Sequence, residues 1–158
     1  MYPLPNVEDI FARLAGDKIF TKLDLSQAYL QLPVDEDSKG LLVINTPKGL
    51  FRLPYGVSVA PAIFQSVMDR VLQGLSVACY LDDILIAAPT EQEHNSILDK
   101  VIGRLQESGI HLREEKCEIS KGQVEYLGHM IDAKGIHPME DKVRAIHEAP
   151  IPQNITQL

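Results

Sequence analysis

Residues 77–88 read Val-Ala-Cys-Tyr-Leu-Asp-Asp-Ile-Leu-Ile-Ala-Ala, two apolar runs, Val77–Leu81 and Ile84–Ala88, parted only by Asp82-Asp83. Short β-prone runs joined by two residues predict an antiparallel hairpin. Its flanks are apolar on both sides, so the hairpin belongs in a largely buried setting with two acids at its tip.

Working outward, Ile19–Leu25 alternates Ile19, Thr21, Leu23 and Leu25 with Phe20, Lys22 and Asp24. That is a period-two strand with a third carboxylate near its end. On the near side of the hairpin, Pro61 opens a helix whose apolar stripe is Ile63, Phe64, Val67, Met68, Val71 and Leu72, ending at Gly74. On the far side, Thr90 and Glu93 form a capping box for a helix to Ser108, with Ile97, Leu98, Val101, Ile102 and Leu105 on its buried face and Gly109 as its stop. Asn6 and Asp9 resemble an N-cap arrangement ahead of Ile10, Phe11 and Leu14. Leu41–Ile44 and Leu50–Leu53 flank the turn residues 45–49 and predict a second hairpin. Val124–Ile131 reads as one strand, residues 133–135 as a turn, and Pro138–His147 as a final helix. Helix, strand, hairpin, helix, acid-tipped hairpin, helix and strands in this order predict an α+β fold, helices packed on one face of an antiparallel sheet.

The 158 residues are 45% hydrophobic and 23% charged, without Trp, which suits one globular domain or part of one. No apolar run approaches the roughly 18 residues of a membrane span, and Met1 opens no signal-like segment, so no membrane residence or secretion is expected. Cys79 and Cys117 are too few for a disulfide scaffold and too distant for a metal knuckle, which makes a reducing, intracellular setting the default. Lys plus Arg number 15 and Asp plus Glu 22, a net charge of −7. A domain that holds nucleic acid unaided should be basic. Either nucleic acid is not the partner, or the gripping basic surfaces lie in segments outside this chain.

An Asp pair in a turn ordinarily needs no further role, since its side chains bond nearby backbone. Here the flanks are apolar and Asp24 ends a strand of what should be the same sheet. Acids gathered at one sheet edge repel and have raised pKa values unless a cation neutralises them. Oxygen ligands suit Mg²⁺ or Mn²⁺, and two such ions can clamp an in-line phosphoryl displacement. Spacing alone reaches that far: a metal-dependent phosphoryl-transfer site.

The string Tyr80-Leu81-Asp82-Asp83 resembles the YxDD signature of reverse transcriptases (RNA-directed DNA polymerases). In the same order as in that family stand LDLSQAYLQLPV (23–34), LPYGVSVAPAIFQ (53–65), HLREEKC (111–117) and VEYLGHMI (124–131). Together they resemble the gypsy-like branch of LTR-retrotransposon polymerases over nearly the whole chain. The fold implied is the polymerase palm, a ferredoxin-like or RRM-like antiparallel sheet. Residues 1–137 would be the palm with partial fingers, and 138–158 the start of a thumb-like region.

The resemblance implies roles residue by residue. Asp24 and Asp82 would be the principal ligands of two Mg²⁺ or Mn²⁺ ions, Asp83 the third and less direct acid, and the Leu25 carbonyl part of the metal shell. Tyr29 would lie beneath the incoming sugar and reject a 2′-hydroxyl; as residues alone, it reads equally as a half-buried strand aromatic. The amides near Gln27 and Ala28 would hold the triphosphate, and Tyr55-Gly56 would contact the nucleotide. Tyr55, an aromatic where retroviral relatives carry Gln, matches the retrotransposon branch. Pro61, Phe64 and Gln65 would open the helix beneath the template, although Phe64 reads equally as core. Lys116 would protonate the pyrophosphate leaving group; as a single Lys it reads as solvated surface. Leu127-Gly128-His129 would be the turn that grips the primer terminus. His94, His111, His137 and His147 show no paired ligand spacing and receive no function.

The family's domain normally begins well before residue 1, with fingers whose Lys and Arg clasp the triphosphate. A fuller thumb and a ribonuclease H domain normally follow residue 158. The implied partners are a primed RNA or DNA template, deoxynucleoside triphosphates and those further segments. The implied location is the cytoplasm or a virus-like particle. The chain alone is expected to be weak or inactive. Its rival reading is a catalytically silent, retroelement-derived interaction module; a nuclease ranks last, for want of an obvious general base.

Overall fold

The structure, a computed structural model, describes residues 3–12, 14, 16–31, 43–46, 49–52, 60–139 and 144. In chain order come α1 (Val7–Ala12), β1 (Ile19–Asp24), a 3-10 turn (Ala28–Gln31), β2 (Val43–Thr46) and β3 (Gly49–Arg52). There follow α2 (Ala60–Val71), β4 (Val77–Tyr80), β5 (Asp83–Ala88), α3 (Glu91–Glu107), a second 3-10 turn (Glu114–Lys116) and β6 (Glu118–Lys121). β7 (Gln123–Tyr126), β8 (His129–Asp132) and β9 (Gly135–Pro138) complete the set.

The central sheet has the order β4-β5-β1-β6, and its described pairs are antiparallel. With α2 between β1 and β4, and α3 between β5 and β6, this is the split β-α-β-β-α-β arrangement of ferredoxin-like domains. β2 and β3 form a separate hairpin, and β7-β8-β9 a meander.

Strand alternation sorts side chains onto two faces. Leu23, Leu25, Ile84 and Ile86 face α2 and α3, where they pack with Phe64, Met68, Leu72, Val101 and Leu105. Phe20, Ala78, Leu85 and Ala87 face the other way and are covered by Ile10 and Leu14 from the α1 segment and by Val124, Tyr126 and Ile131. The two long helices thus share one face, while α1 closes the opposite one beside the meander. Because β5 is covered on both faces, Ile84–Ala88 are buried without interruption, which is why that run shows no alternation in the sequence.

Helix α3 is bounded as its sequence requires. Thr90 Oγ1 accepts the Glu93 amide at 3.3 Å. At the far end the Gly109 amide donates to Gln106 O and the Ile110 amide to Leu105 O, with Gly109 at φ +67°. These are the paired bonds of a Schellman cap, where Gly carries no Cβ penalty.

Four expectations shift. The two-residue connection of the acid hairpin is Leu81-Asp82, because Tyr80 pairs with Asp83, which opens β5. The α2 stripe is turned: Ile63 is 52% exposed, whereas Gln65 is 0% exposed beside Phe64 and Met68. An amide displaces an isoleucine there because it finds partners inside. Residues 124–131 form two strands rather than one; Leu127 (φ +48°) and Gly128 (φ +75°) reverse the chain so that Tyr126 pairs with His129. Two successive positive φ angles make a tight hairpin turn. Finally, Pro138 ends strand β9 instead of opening a helix. The rest of the expected helix lies outside the described residues except Arg144.

Candidate active site

Strand β1 presents Phe20, Lys22 and Asp24 on the face that also carries Asp83 of β5, and Asp24 lies directly opposite Asp83 in the register. The Leu25 amide donates to Asp82 O at 2.9 Å, fastening the end of β1 to the turn. The three expected acids are therefore brought to one end of the two central strands. Asp82 is exposed, while Asp24 and Asp83 are half-buried. Burial pushes the Asp83 carboxyl above its ordinary range; Lys22 draws it down, and the charges of Asp82 and Asp24 raise it further. The fields of the three carboxylates thus overlap at Asp83. Lys22 Nζ stands 3.8 Å from Asp83 Oδ1. Sequence reasoning left Lys22 without a role, although its spacing of two from Asp24 on a period-two strand was the signal.

The turn bearing the acids is gripped from several directions. The Leu81 amide donates to Gln65 Oε1 at 2.8 Å, and Gln65 Nε2 donates to Cys79 O at 3.0 Å. Tyr126, fully buried, donates its hydroxyl to Asp83 O at 3.3 Å. Burial pushes the Cys79 thiol up to about 12, with Asp69, Asp83 and Asp82 adding to the rise, so it stays protonated. Its Sγ donates to Leu81 O at 3.6 Å. Gln65, expected beneath the template, is spent on this turn.

After Asp24 the chain is pinned to residues 111–113. The Arg113 amide donates to Asp24 O at 2.8 Å and the Ser26 amide to His111 O at 2.9 Å. Gln31 Oε1 accepts the His111 amide at 2.6 Å, and its Nε2 donates to His111 O at 3.1 Å and to Ser26 O. Gln27 takes φ +47° in the intervening turn, and Ala28, buried, begins the 3-10 turn that contains Tyr29. Tyr29 is thus on a helical turn rather than a strand. Neither Gln31 nor Tyr126 carries a sequence signal beyond polarity at an otherwise apolar position.

Pro61 lies in the first turn of α2 and Phe64 in the core beside it. Lys116 is exposed and closes the second 3-10 turn, its amide donating to Arg113 O at 3.0 Å. Leu127 and Gly128 form the β7–β8 turn, directly after the Tyr126 that bonds Asp83 O. His129 sets its ring edge-on to Phe11, 5.0 Å between centroids. Tyr55 and Gly56 lie outside the described residues. Hard carboxylate oxygens at one edge are the donor chemistry that Mg²⁺ or Mn²⁺ takes. Among the described residues, no three acidic, His or Cys side chains stand gathered as a ready-made cage. No described helix is long and apolar enough to cross a membrane.

Residues 1–131 match the family described as reverse transcriptase (RNA-dependent DNA polymerase). An uncharacterized protein of Caenorhabditis elegans is 42% identical over 161 residues, covering 99% of this chain and 12% of its own length. The Transposon Tf2-3 polyprotein of Schizosaccharomyces pombe is 35% identical over 164 residues, 100% of this chain and again 12% of its own. The chain therefore spans about one eighth of these relatives. Among solved structures, a foamy viral protease-reverse transcriptase in complex with double-stranded DNA superimposes with a TM-score of 0.85 at 25% identity, covering 98% of this chain and 29% of that one. A foamy viral protease-reverse transcriptase in complex with an RNA/DNA hybrid gives 0.84 at 24%, over 98% and 22%. The acid-tipped hairpin set against β1, the palm-like sheet and the match over residues 1–131 agree: this chain belongs to the reverse transcriptase family.

Proposed function

We propose that this chain is the palm core of an RNA-directed DNA polymerase of the gypsy-like retrotransposon type, extending a primer 3′-hydroxyl with deoxynucleoside triphosphates. The observation that carries the reading is Asp24 opposite Asp83 across β1 and β5, with Asp82 in the adjoining turn. Asp24 and Asp82 would hold two divalent ions, Mg²⁺ or Mn²⁺, with the Leu25 carbonyl beside them and Asp83 less directly placed. Such ions, when bound, supply activation of the attacking hydroxyl and neutralise charge on the leaving pyrophosphate.

The chain's own residues do the positioning. The turn at Gln27 and Ala28 offers backbone amides to the triphosphate, and Tyr29 follows on the same turn, where its ring excludes a 2′-hydroxyl. Tyr55 and Gly56 contact the nucleotide. The β7–β8 turn, Leu127-Gly128-His129, supports the primer end, tied to the acids through Tyr126 and Asp83 O. Pro61 and Gln65 shape the helix under the template. Lys116 delivers a proton to the pyrophosphate. With a net charge of −7, this chain supplies little of the phosphate neutralisation that holds a duplex. On its own it extends primers weakly.

The test is primer extension on an RNA template with Mg²⁺ or Mn²⁺, using this chain and a chimera in which it replaces the matching 164 residues of the Tf2-3 polyprotein. Extension by the chimera that Asp83→Asn or Asp82→Asn abolishes supports the reading. Extension that survives either substitution refutes it.

A further inference from the structure

Gln65 is among the few polar side chains at 0% exposure among the described residues. Every polar atom of its amide is engaged. Oε1 accepts the Leu81 amide at 2.8 Å, while Nε2 donates to Cys79 O at 3.0 Å and to Asp69 Oδ1 at 2.9 Å. The network fixes the amide's orientation, because a reversed amide would set its NH₂ against the Leu81 N–H. Asp69, one helical turn along α2, shares the Nε2 donor and holds the amide aimed at the hairpin.

The bonds land at a strained place. Leu81 takes φ +54° as the first of the two residues linking Tyr80 to Asp83. Leucine has no intrinsic preference for that conformation, which persists only where surroundings over-determine it. Here the surroundings are Gln65 on the Leu81 amide and the Cys79 thiol on the Leu81 carbonyl. The next two residues are Asp82 and Asp83.

We infer that Gln65 is a positioning residue: through Leu81 and Cys79 its side-chain amide fixes the turn that carries Asp82 and Asp83, and so sets where those carboxylates meet Asp24. This rests on the reading of the acids as a divalent-ion site, but the clamp itself is read without any polymerase activity. Gln65→Met keeps length and removes both bonds to the hairpin. Gln65→Glu keeps an acceptor for the Leu81 amide in either protonation state.

The experiment is amide hydrogen exchange on the 158-residue chain, residue by residue, with a Mn²⁺ titration alongside. In Gln65→Met the Leu81 amide should exchange faster by about tenfold or more while β1 and α3 amides keep their rates, as local opening requires. The Mn²⁺ half-saturation point should rise by about fivefold or more, the carboxylates being less well placed. Gln65→Glu should keep Leu81 protected. Unchanged Leu81 exchange in Gln65→Met, a uniform rise across the whole sheet, or unchanged Mn²⁺ half-saturation would each overturn the inference. Should Gln65→Met not fold, Gln65→Asn, too short to reach Leu81, carries the same readouts. A wild-type chain that takes up no Mn²⁺ refutes the proposed function instead, and the exchange pattern then decides the clamp.

Discussion

At the scale of single residues, parity on a strand decides which side chains meet chemistry. Phe20, Lys22 and Asp24 share a face; Phe20 is swallowed by the core, and the other two emerge beyond it beside Asp83. The odd-numbered neighbours bring a polar group inside as well. Thr21 Oγ1 bonds His94 Nε2 at 2.8 Å and accepts the Ser120 amide at 2.9 Å, with Thr21 and His94 both fully buried. Thr21→Val leaves both partners unsatisfied and should cost about 1–3 kcal/mol in urea unfolding. His94, which showed no ligand spacing, thus pins α3 to β1. The thiol of Cys79, pushed up to about 12 by burial, should react with a disulfide reagent at pH 8 more slowly than an ordinary thiol, since little of it is thiolate. The sign carries into stability. Between the ordinary value of 9.0 and about 12 the unfolded thiol ionises while the folded one does not, so stability falls as pH rises through that window. Timed labelling, with and without denaturant, checks both.

At the scale of elements, the sequence was legible wherever polar and apolar residues followed a period. Helix α3 and its caps, and strand β1, follow from spacing and punctuation alone. Thr90→Ala should lower stability by about 1 kcal/mol through the lost cap, read as a shift in urea midpoint. Helix α2 keeps Phe64, Met68, Val71 and Leu72 of its expected stripe inside, but the phase slips at Ile63 because hydrophobicity cannot know that Gln65 has three partners waiting. The two phases are distinguishable: Phe64→Ala should cost about 3–5 kcal/mol, and Ile63→Ala, at an exposed site, within about 0.5 kcal/mol. Equal costs would restore the original stripe. The break in 124–131 was hidden from the hydrophobic pattern, although the family resemblance marked a turn at Leu127-Gly128-His129. Among local signals only Gly128 marks it, and Leu127, which no turn rule favours, shares the positive φ. Its side chain packs against the core around Tyr126, so tertiary burial holds what local propensity disfavours.

At the scale of the whole molecule, the sheet is a partition. One side is a helical core, the other a core shared with α1 and the meander, and the acids sit where the second core ends. The three carboxylates could be chosen from sequence because Asp24 ends a strand of readable period and Asp82-Asp83 interrupt two apolar runs. Their supports could not be read as supports, although Gln65 was marked for the template. Gln65, Gln31 and Tyr126 act across 16, 80 and 43 residues of chain, and nothing local encodes such a partner. Net charge belongs to this scale too. A chain at −7 should bind a primer–template weakly, with the association constant collapsing between about 50 and 200 mM salt if a few phosphates are contacted. Fluorescence anisotropy across that range checks it; salt-insensitive binding would contradict an electrostatic grip.

The sheet order β4-β5-β1-β6 has a consequence for how the protein comes into being. Strand β1 leaves the ribosome before either of its neighbours, β5 at residues 83–88 and β6 at 118–121. Asp24 therefore waits through some sixty residues of synthesis for Asp83, and Tyr126 arrives after both. Pairings so distant close slowly, after long loops have been ordered. During translation the acids are separate and harmless. They come together as a group only once the chain as far as Tyr126 has emerged to hold them.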